Sequence, residues 1–143
     1  MNIETRWEPQ ALALTSSISE LAPRCILVVD DDEEMREAVG LVLTPRYRVR
    51  YAIDGIDGYD KANELPRPDL IIADVAMPRL DGIAMVQRIR ATPALRRVPV
   101  IFFTGQTSVA SIIAGLSVGS FAYLSKTAAP GVLEGKVRRA LGC

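Results

Sequence analysis

The sequence contains no histidine and only two cysteines, Cys25 and Cys143, among its 143 residues. Without histidine, the chain holds neither a Ser-His-Asp catalytic triad nor a Cys-His catalytic pair of its own. Two cysteines with no histidine also provide neither a disulfide framework nor a set of zinc ligands. We therefore expect Cys25 to be a buried core thiol and Cys143 to be a free terminal one.

An excess of charge of one sign is also missing, because 17 basic and 17 acidic residues cancel to a formal net charge of zero. This balance argues against a broad basic surface for nucleic acid. No run of about 18 apolar residues is present, so no transmembrane helix is expected. Glu4, Glu8 and Pro9 interrupt the N-terminus where a signal peptide needs an apolar segment. Hydrophobic residues make up 49% of the chain, and we expect a single soluble, cytoplasmic domain.

After Pro23 the sequence alternates between short apolar runs and segments with helical spacing of apolar residues. The predicted strands span 25–30, 47–52, 69–74, 98–104 and 121–125, and the predicted helices span about 33–44, 56–64, 82–91, 107–118 and 130–141. Five such βα units with short connections predict an α/β fold. Its core is a five-stranded, doubly wound parallel sheet with helices on both faces.

Polar side chains stand where the predicted strands end. Asp30 and Asp31 follow the first strand, Asp74 ends the third, Thr104 ends the fourth and Lys126 follows the fifth. Ligands of doubly wound sheets bind at the carboxyl ends of the strands. Clustered carboxylates repel one another unless a cation lies among them, and Mg²⁺ is a hard ion that prefers oxygen ligands. A lysine and a hydroxyl beside such an ion also suit a phosphoryl group.

Several of these residues have a simpler interpretation. Asp32 is expected to cap the first helix, and the same role remains open for Asp31. Asp74 could be a turn residue, and Lys126 could be a solvated surface lysine. Asp81, together with Gly82, is expected to form a turn and the start of a helix.

Four segments together resemble the receiver domain of two-component response regulators. They are "ILVVDDDEEMRE", "PDLIIADVAMPRLDG", "VPVIFFTG" and "GSFAYLSK". Each alone is a weak signal, but all four stand in the family's order at predicted strand ends. The resemblance covers about residues 24–141 and implies the (βα)5 flavodoxin-like receiver fold. Residues 1–23 would be an N-terminal extension, either a short helix anchored by Trp7 or a flexible tail, and 24–143 the receiver domain.

The resemblance also implies a role for the carboxylates. Asp74 matches the phosphoacceptor and one of the metal ligands of the family. Asp31 matches the direct Mg²⁺ ligand, and Asp30 acts largely through water. The backbone carbonyl of Ala76 would supply another ligand.

The remaining matches concern the response to phosphorylation. Thr104 resembles the hydroxyl that hydrogen-bonds the acyl phosphate, and Lys126 resembles the ammonium that pairs with it. Tyr123 matches the aromatic switch position, whose ring turns inward when Thr104 moves towards phosphate. Tyr123 as an ordinary core or surface aromatic remains the alternative.

Three departures from the family pattern affect these expectations. Thr127 replaces the usual proline, so whether the peptide bond after Lys126 is cis or trans stays open; a trans bond, which residues other than proline favour, would displace the lysine. Gly105 replaces the more usual alanine and is expected to loosen the loop after the fourth strand. Ala76 and Gln106 occupy positions that tune dephosphorylation in the family, and only Gln106 offers a polar side chain there.

The region from Thr104 to Ser125 contains no charged residue. The resemblance implies that the fourth helix, fifth strand and fifth helix form the output face. We therefore expect residues 107–125 to bind a partner protein or a second copy in a homodimer. The alternative is that this patch is small and merely uncharged.

The expected function is that of a stand-alone response regulator receiver, because no further segment follows the last predicted helix. A histidine kinase or histidine phosphotransfer protein would phosphorylate Asp74 in a Mg²⁺-dependent reaction and switch the output face towards a downstream protein. The domain would assist its own phosphorylation and dephosphorylation without being an enzyme, and no nucleic acid or membrane partner is expected. The alternative is a degenerate receiver that serves as a constitutive docking or dimerisation module. A phosphatase-like enzyme would need a second carboxylate where Ala76 stands.

Overall fold

Strands and helices alternate throughout residues 23–142, the part of the chain that this computed structural model describes. The strands are β1 (Cys25–Val29), β2 (Arg48–Ala52), β3 (Leu70–Ala73), β4 (Val100–Thr104) and β5 (Ala122–Ser125). The helices are α1 (Glu33–Leu43), α2 (Gly55–Asn63), α3 (Gly82–Ala91), α4 (Val109–Ser117) and α5 (Pro130–Leu141). The predictions for residues 1–22, including the anchoring role of Trp7, and for Cys143 lie outside the described residues.

The five strands form one parallel sheet in the order β2-β1-β3-β4-β5. This order confirms the predicted doubly wound sheet and is the flavodoxin-like arrangement. From β1 the chain first adds β2 on one side and then adds β3, β4 and β5 on the other side. The topological switch point therefore lies between β1 and β3, and a crevice opens there at the carboxyl ends of the strands. Val29 and Ala73, the last residues of these strands, are register partners. The residues that follow them, Asp30 and Asp74, are therefore brought to the same crevice.

Alternate residues of β1 enter two hydrophobic cores, one on each face of the sheet. Ile26 and Val28 pack in the core beneath α1 and α5. Leu27 and Val29 pack in the opposite core, beneath α2 and α3. Both faces of the strand are covered, and this explains why its sequence is a continuous apolar run.

Side-chain caps determine where four of the described helices begin, among them α2, which Asp54 caps. Asp32 accepts a hydrogen bond of 3.0 Å from the backbone N–H of Glu34, and Asp81 accepts one of 2.8 Å from Ala84. The capping role predicted for Asp32 and the helix start predicted at Asp81 and Gly82 are confirmed. Ser108 caps α4 in the same way, so this helix begins two residues later than the predicted position 107.

Two predictions from composition concern Cys25 and membrane-spanning helices. Cys25 is a free thiol with only 4% of its surface exposed, so its predicted core position is confirmed. Its backbone N–H donates a hydrogen bond of 2.8 Å to the Asp69 carboxylate. Within residues 23–142, none of the helices combines the length and the apolar character needed to cross a bilayer.

Candidate functional site

Three aspartates meet at the carboxyl ends of β1 and β3. Asp30, Asp31 and Asp74 each place a carboxylate oxygen within 4.8 Å of the others. Asp30 and Asp74 are buried, with 4% and 7% of their surface exposed, whereas Asp31 is exposed. The pairing of β1 with β3 brings these groups together, as the sequence predicts. We call this set the aspartate cluster.

Lys126 joins the aspartate cluster from the end of β5. Its Nζ lies 2.6 Å from Asp74 Oδ2 and 2.9 Å from Asp30 Oδ2. With 19% of its side chain exposed, Lys126 is an ion-pair partner rather than a solvated surface lysine.

The peptide bond between Lys126 and Thr127 is trans. The displacement of Lys126 that a trans bond was expected to cause is wrong, because its Nζ reaches both Asp30 and Asp74. The backbone N–H of Lys126 donates to the carbonyl of Thr104 at 2.9 Å and so extends the pairing of β4 with β5. Thr127 then bonds Ser125 through its backbone N–H and its hydroxyl. These local hydrogen bonds keep the lysine in place without a proline.

Burial and charge oppose each other at this site. Burial raises the pKa of the Asp30 carboxyl, although the backbone N–H of Asp32 and the Lys126 ammonium work against it. Burial lowers the pKa of Lys126, but its bonds to Asp74 and Asp30 outweigh that effect, so its pKa is raised overall. The lysine is therefore held as an ammonium by the two carboxylates that it neutralises.

The aspartate cluster suits a hard divalent cation. When all four groups are ionised, three carboxylates face one ammonium, which leaves an excess of two negative charges. Carboxylate oxygens are the ligands that Mg²⁺ prefers in proteins. Ala76, whose backbone carbonyl is the other predicted ligand, lies in the loop between β3 and α3 and is exposed.

Thr104 ends β4 and is fully buried. Its Oγ1 accepts a hydrogen bond of 3.1 Å from the backbone N–H of Gln106, which fixes the start of the β4–α4 loop. Between them, Gly105 is exposed and has open space around its Cα. The loop is therefore anchored at Thr104 and unpacked at the next residue.

Tyr123 connects the same loop to α4. Its hydroxyl donates a hydrogen bond to the Gln106 carbonyl, and its ring lies 5.8 Å from that of Phe102, centroid to centroid. Burial raises the pKa of the Tyr123 hydroxyl, with a smaller contribution from the charge of Asp74. The switch role of Tyr123 stays a prediction, since an ordinary packing role would give these contacts too.

We expect Gly115→Ala to destabilise the domain by about 1–3 kcal/mol because it crowds this ring. A Cβ at position 115 would lie 2.5 Å from Cδ2 of Tyr123 and 3.2 Å from Cδ2 of Phe102. The matched control is Gly135→Ala in α5, where nothing lies within 4 Å of the added carbon. That variant should gain about 0.5–1 kcal/mol from helix propensity. Urea unfolding measures the free energy of unfolding of both variants. An equal increase in the two would contradict the expected crowding at position 115.

Two arginines that bond to residues following β1 and β2 are not among the predicted site residues. Arg36 in α1 donates from Nη1 to the backbone carbonyl of Asp30 at 2.7 Å. Arg79, in the β3–α3 loop, pairs with the buried Asp54 at 2.7 Å. The sequence indicates these contacts only weakly, because a basic residue close to an acidic motif is as often exposed to solvent as paired with a carboxylate or carbonyl.

Comparison with known proteins places these features in a wider context. A family model described as "Response regulator receiver domain" matches residues 26–138. "Transcriptional regulatory protein AfsQ1" of Streptomyces coelicolor is 36% identical over 117 residues, which are 81% of this chain and 50% of that protein. "Response regulator MprA" of a Mycobacterium species (strain KMS) is 39% identical over 121 residues, 83% of this chain and 51% of that protein.

Solved structures show the same similarity in three dimensions. A putative response regulator from Chloroflexus aurantiacus has a TM-score of 0.80 at 32% identity, covering 85% of this chain and all of that one (100%). The chemotaxis response regulator CheY4 of Vibrio cholerae has a TM-score of 0.77 at 31% identity, with 84% and 100% covered. The receiver-type flavodoxin-like fold is thereby confirmed.

Two expectations about partners and length are not supported. The chain spans about half the length of the curated relatives that it matches, so these relatives do not support a stand-alone receiver. One relative is named a transcriptional regulatory protein, and the expected absence of a nucleic-acid partner therefore has no support.

Proposed function

Because this chain belongs to the response regulator receiver family of two-component signalling, we propose that Asp74 is its phosphoacceptor. The donor would be a histidine kinase or a histidine phosphotransfer protein, since the chain has no histidine of its own. The observation that carries the proposal is the ion pair of Lys126 with Asp74 and Asp30. A cytoplasmic location belongs to the same proposal and agrees with the free thiol of Cys25.

The transfer forms a bond between an Asp74 oxygen and phosphorus while the bond from phosphorus to the donor nitrogen breaks. Asp74 is oriented for this step, because its Oδ1 accepts a hydrogen bond of 2.7 Å from the Val75 N–H. Mg²⁺ held by Asp30, Asp31, Asp74 and the Ala76 carbonyl would neutralise charge on the phosphoryl oxygens.

Lys126 and Thr104 then stabilise the acyl phosphate. The phosphoryl group brings about 1.5–2 negative charges and three acceptor oxygens, to which an ammonium and a hydroxyl donate well. Thr104, whose Oγ1 accepts the Gln106 N–H, would donate its own O–H to a phosphate oxygen and draw the loop with it. Since Tyr123 bonds the Gln106 carbonyl, movement of this loop would release the tyrosine and alter α4 and β5.

The experiment uses the whole chain with Mg²⁺ and a small phosphodonor such as acetyl phosphate. Intact mass should increase by one phosphoryl group, and peptide mapping after borohydride reduction should locate it at Asp74. Samples with EDTA in place of Mg²⁺ should remain unmodified. Absence of the adduct in Mg²⁺ would instead favour the docking module that needs no phosphorylation.

We propose a second copy of this chain as the partner of the α4–β5 surface. Apolar side chains project there without any charged residue between Thr104 and Ser125. The exposed members are Val109 (73%), Ile113 (58%), Leu116 (49%) and Phe121 (46%). An uncharged face of this kind suits a self-complementary interface better than a polar partner.

We expect phosphorylation to favour this dimer and Ile113→Glu to prevent it, because association would bury a carboxylate without a partner. Light scattering before and after phosphodonor addition measures this. The control is Leu41→Glu, a substitution of equal character at an exposed residue of α1 (79% exposed), which should still dimerise. If the wild type stays monomeric, the partner of the α4–β5 surface is a different protein. If Ile113→Glu still dimerises, this surface is not part of the dimer interface.

A further inference from the structure

A buried carboxylate outside the aspartate cluster is paired with an exposed arginine. Asp54 caps α2, with only 3% of its surface exposed, and its Oδ1 accepts the Asp57 N–H at 2.8 Å. Arg79 donates from Nε to Oδ2 at 2.7 Å and from Nη2 to Oδ1 at 3.2 Å. This two-bond contact ties the β2–α2 turn to the β3–α3 loop, residues 75–81.

The backbone of Arg79 gives a second indication that this contact matters. Its φ angle is +65°, in the left-handed region that residues other than glycine rarely occupy. The side chain at this position is thus directed onto Asp54 from an unfavourable backbone conformation. Pairing with Arg79 lowers the pKa of Asp54, so the carboxylate remains ionised at neutral pH and keeps its hold on the arginine.

The neighbouring backbone is fixed as well. The N–H of Gly55 donates to the carbonyl of Leu80 at 3.0 Å, and the N–H of Gly82 donates to the carbonyl of Val75 at 2.8 Å. A Cβ at Gly55 would lie 2.2 Å from the Leu80 oxygen, so these two segments approach too closely for a side chain. The β3–α3 loop is thus held at its base by Gly82 and at its crest by Gly55 and Arg79.

We propose that the Asp54–Arg79 pair is a positioning device for the candidate metal site. It holds the β3–α3 loop in the conformation that supplies the Ala76 carbonyl as a ligand. This inference rests on the proposed function, because that carbonyl matters only if the aspartate cluster binds Mg²⁺. Neither Asp54 nor Arg79 contacts the metal in this scheme, and both act through the loop.

Arg79→Met tests the inference in the chain of 143 residues. Isothermal titration with MgCl₂ should show an affinity about tenfold weaker than that of the wild type, the usual order for a lost supporting contact. Hydrogen exchange in EDTA should become faster at the amides of residues 75–82. Arg79→Lys, which keeps a cation near Asp54, should recover part of both losses.

The matched control is Arg90→Met. Arg90 donates to the backbone carbonyls of Val98, Gly119 and Arg96 at 2.6, 2.9 and 3.2 Å, near the amino ends of β4 and β5. Its loss should lower stability in urea without changing the affinity for Mg²⁺. The comparison separates a positioning effect from general destabilisation.

Three results would overturn the inference. They are unchanged Mg²⁺ affinity in Arg79→Met, unchanged exchange of the loop amides, or an equal loss of Mg²⁺ affinity in Arg90→Met. If the wild type itself binds no Mg²⁺, the proposed metal site is wrong. The exchange measurement then still decides whether the pair holds the loop. If Arg79→Met does not fold, the same measurements on Arg79→Lys against wild type decide.

Discussion

Lys126→Met is expected to lower the free energy of unfolding by about 2 kcal/mol at pH 7 in EDTA. The substitution keeps much of the length and apolar stem of the side chain but removes the ammonium. Asp30 and Asp74, which lie 2.9 and 2.6 Å from that ammonium, would then be buried without their cation. Breaking a partly exposed ion pair lowers stability less than breaking a fully buried one. Because 19% of the Lys126 side chain is exposed, the expected loss is below the range for a fully buried pair.

This loss should depend on pH in a defined direction. Burial already holds the pKa of Asp30 above its usual 3.8, and Lys126 opposes that rise, so removal of Lys126 raises the pKa further. A carboxyl with a raised pKa in the folded state binds its proton more tightly there than in the unfolded chain. The contribution of Asp30 to stability is therefore most favourable below about pH 4 and falls as pH rises through its folded-state pKa. The deficit of the variant should shrink under acid conditions.

Urea unfolding of wild type and Lys126→Met at several pH values measures both effects. Lys136→Met is the control, since Lys136 lies in α5 away from the aspartate cluster, and it should show neither the loss nor the pH dependence. Added MgCl₂ should restore part of the stability of Lys126→Met, because a bound cation replaces the lost positive charge. A deficit that is constant with pH would show that Lys126 acts through packing alone.

The fold could be predicted from the sequence because short apolar runs, which indicate buried strands, alternate regularly with segments in which apolar residues have helical spacing. Strand β1, for example, is a continuous apolar run, and β1 and β3 are buried on both faces, as such runs predict. Boundaries were less accessible. Strand β4 begins at Val100 rather than at position 98, because Pro99 has no backbone N–H to donate to a neighbouring strand. The apolar run thus begins before the strand does, although the carbonyl of Pro99 still accepts a hydrogen bond of 3.0 Å from the N–H of Ile71 in β3.

The aspartate cluster was accessible for a related reason. Parallel strands end at one edge of a sheet, so polar residues after β1 and β3 had to meet there. The presence of Lys126 in this site was predicted from its place after β5, but its undisplaced position was not, because it depends on hydrogen bonds of Ser125 and Thr127 that replace the effect of a proline. The Asp54–Arg79 pair joins residues 25 positions apart across two loops, and no periodic pattern reports such a contact.

Asp74→Asn is expected to abolish phosphoryl uptake completely while leaving the domain folded. An amide is not a nucleophile for phosphorus, and its one oxygen can keep only one of the two hydrogen bonds that Asp74 accepts, from Val75 at Oδ1 and from Lys126 at Oδ2. The substitution also removes one of three mutually repelling carboxylates, which offsets that loss. Stability in EDTA should therefore change by about 1 kcal/mol or less. Intact mass after incubation with acetyl phosphate and MgCl₂ measures uptake. Asp60→Asn, at an exposed aspartate of α2, should be phosphorylated like the wild type.

Combining Asp74→Asn with Lys126→Met tests whether the contact between these residues determines their energetics. In the double variant only Asp30 loses its cation, so part of the stability lost in Lys126→Met should return. The two changes would then be non-additive, as expected for side chains 2.6 Å apart. Costs that simply add would mean that the carboxylate and the ammonium do not stabilise each other in solution. In that case the ion pair would no longer support the proposal that Asp74 is the phosphoacceptor.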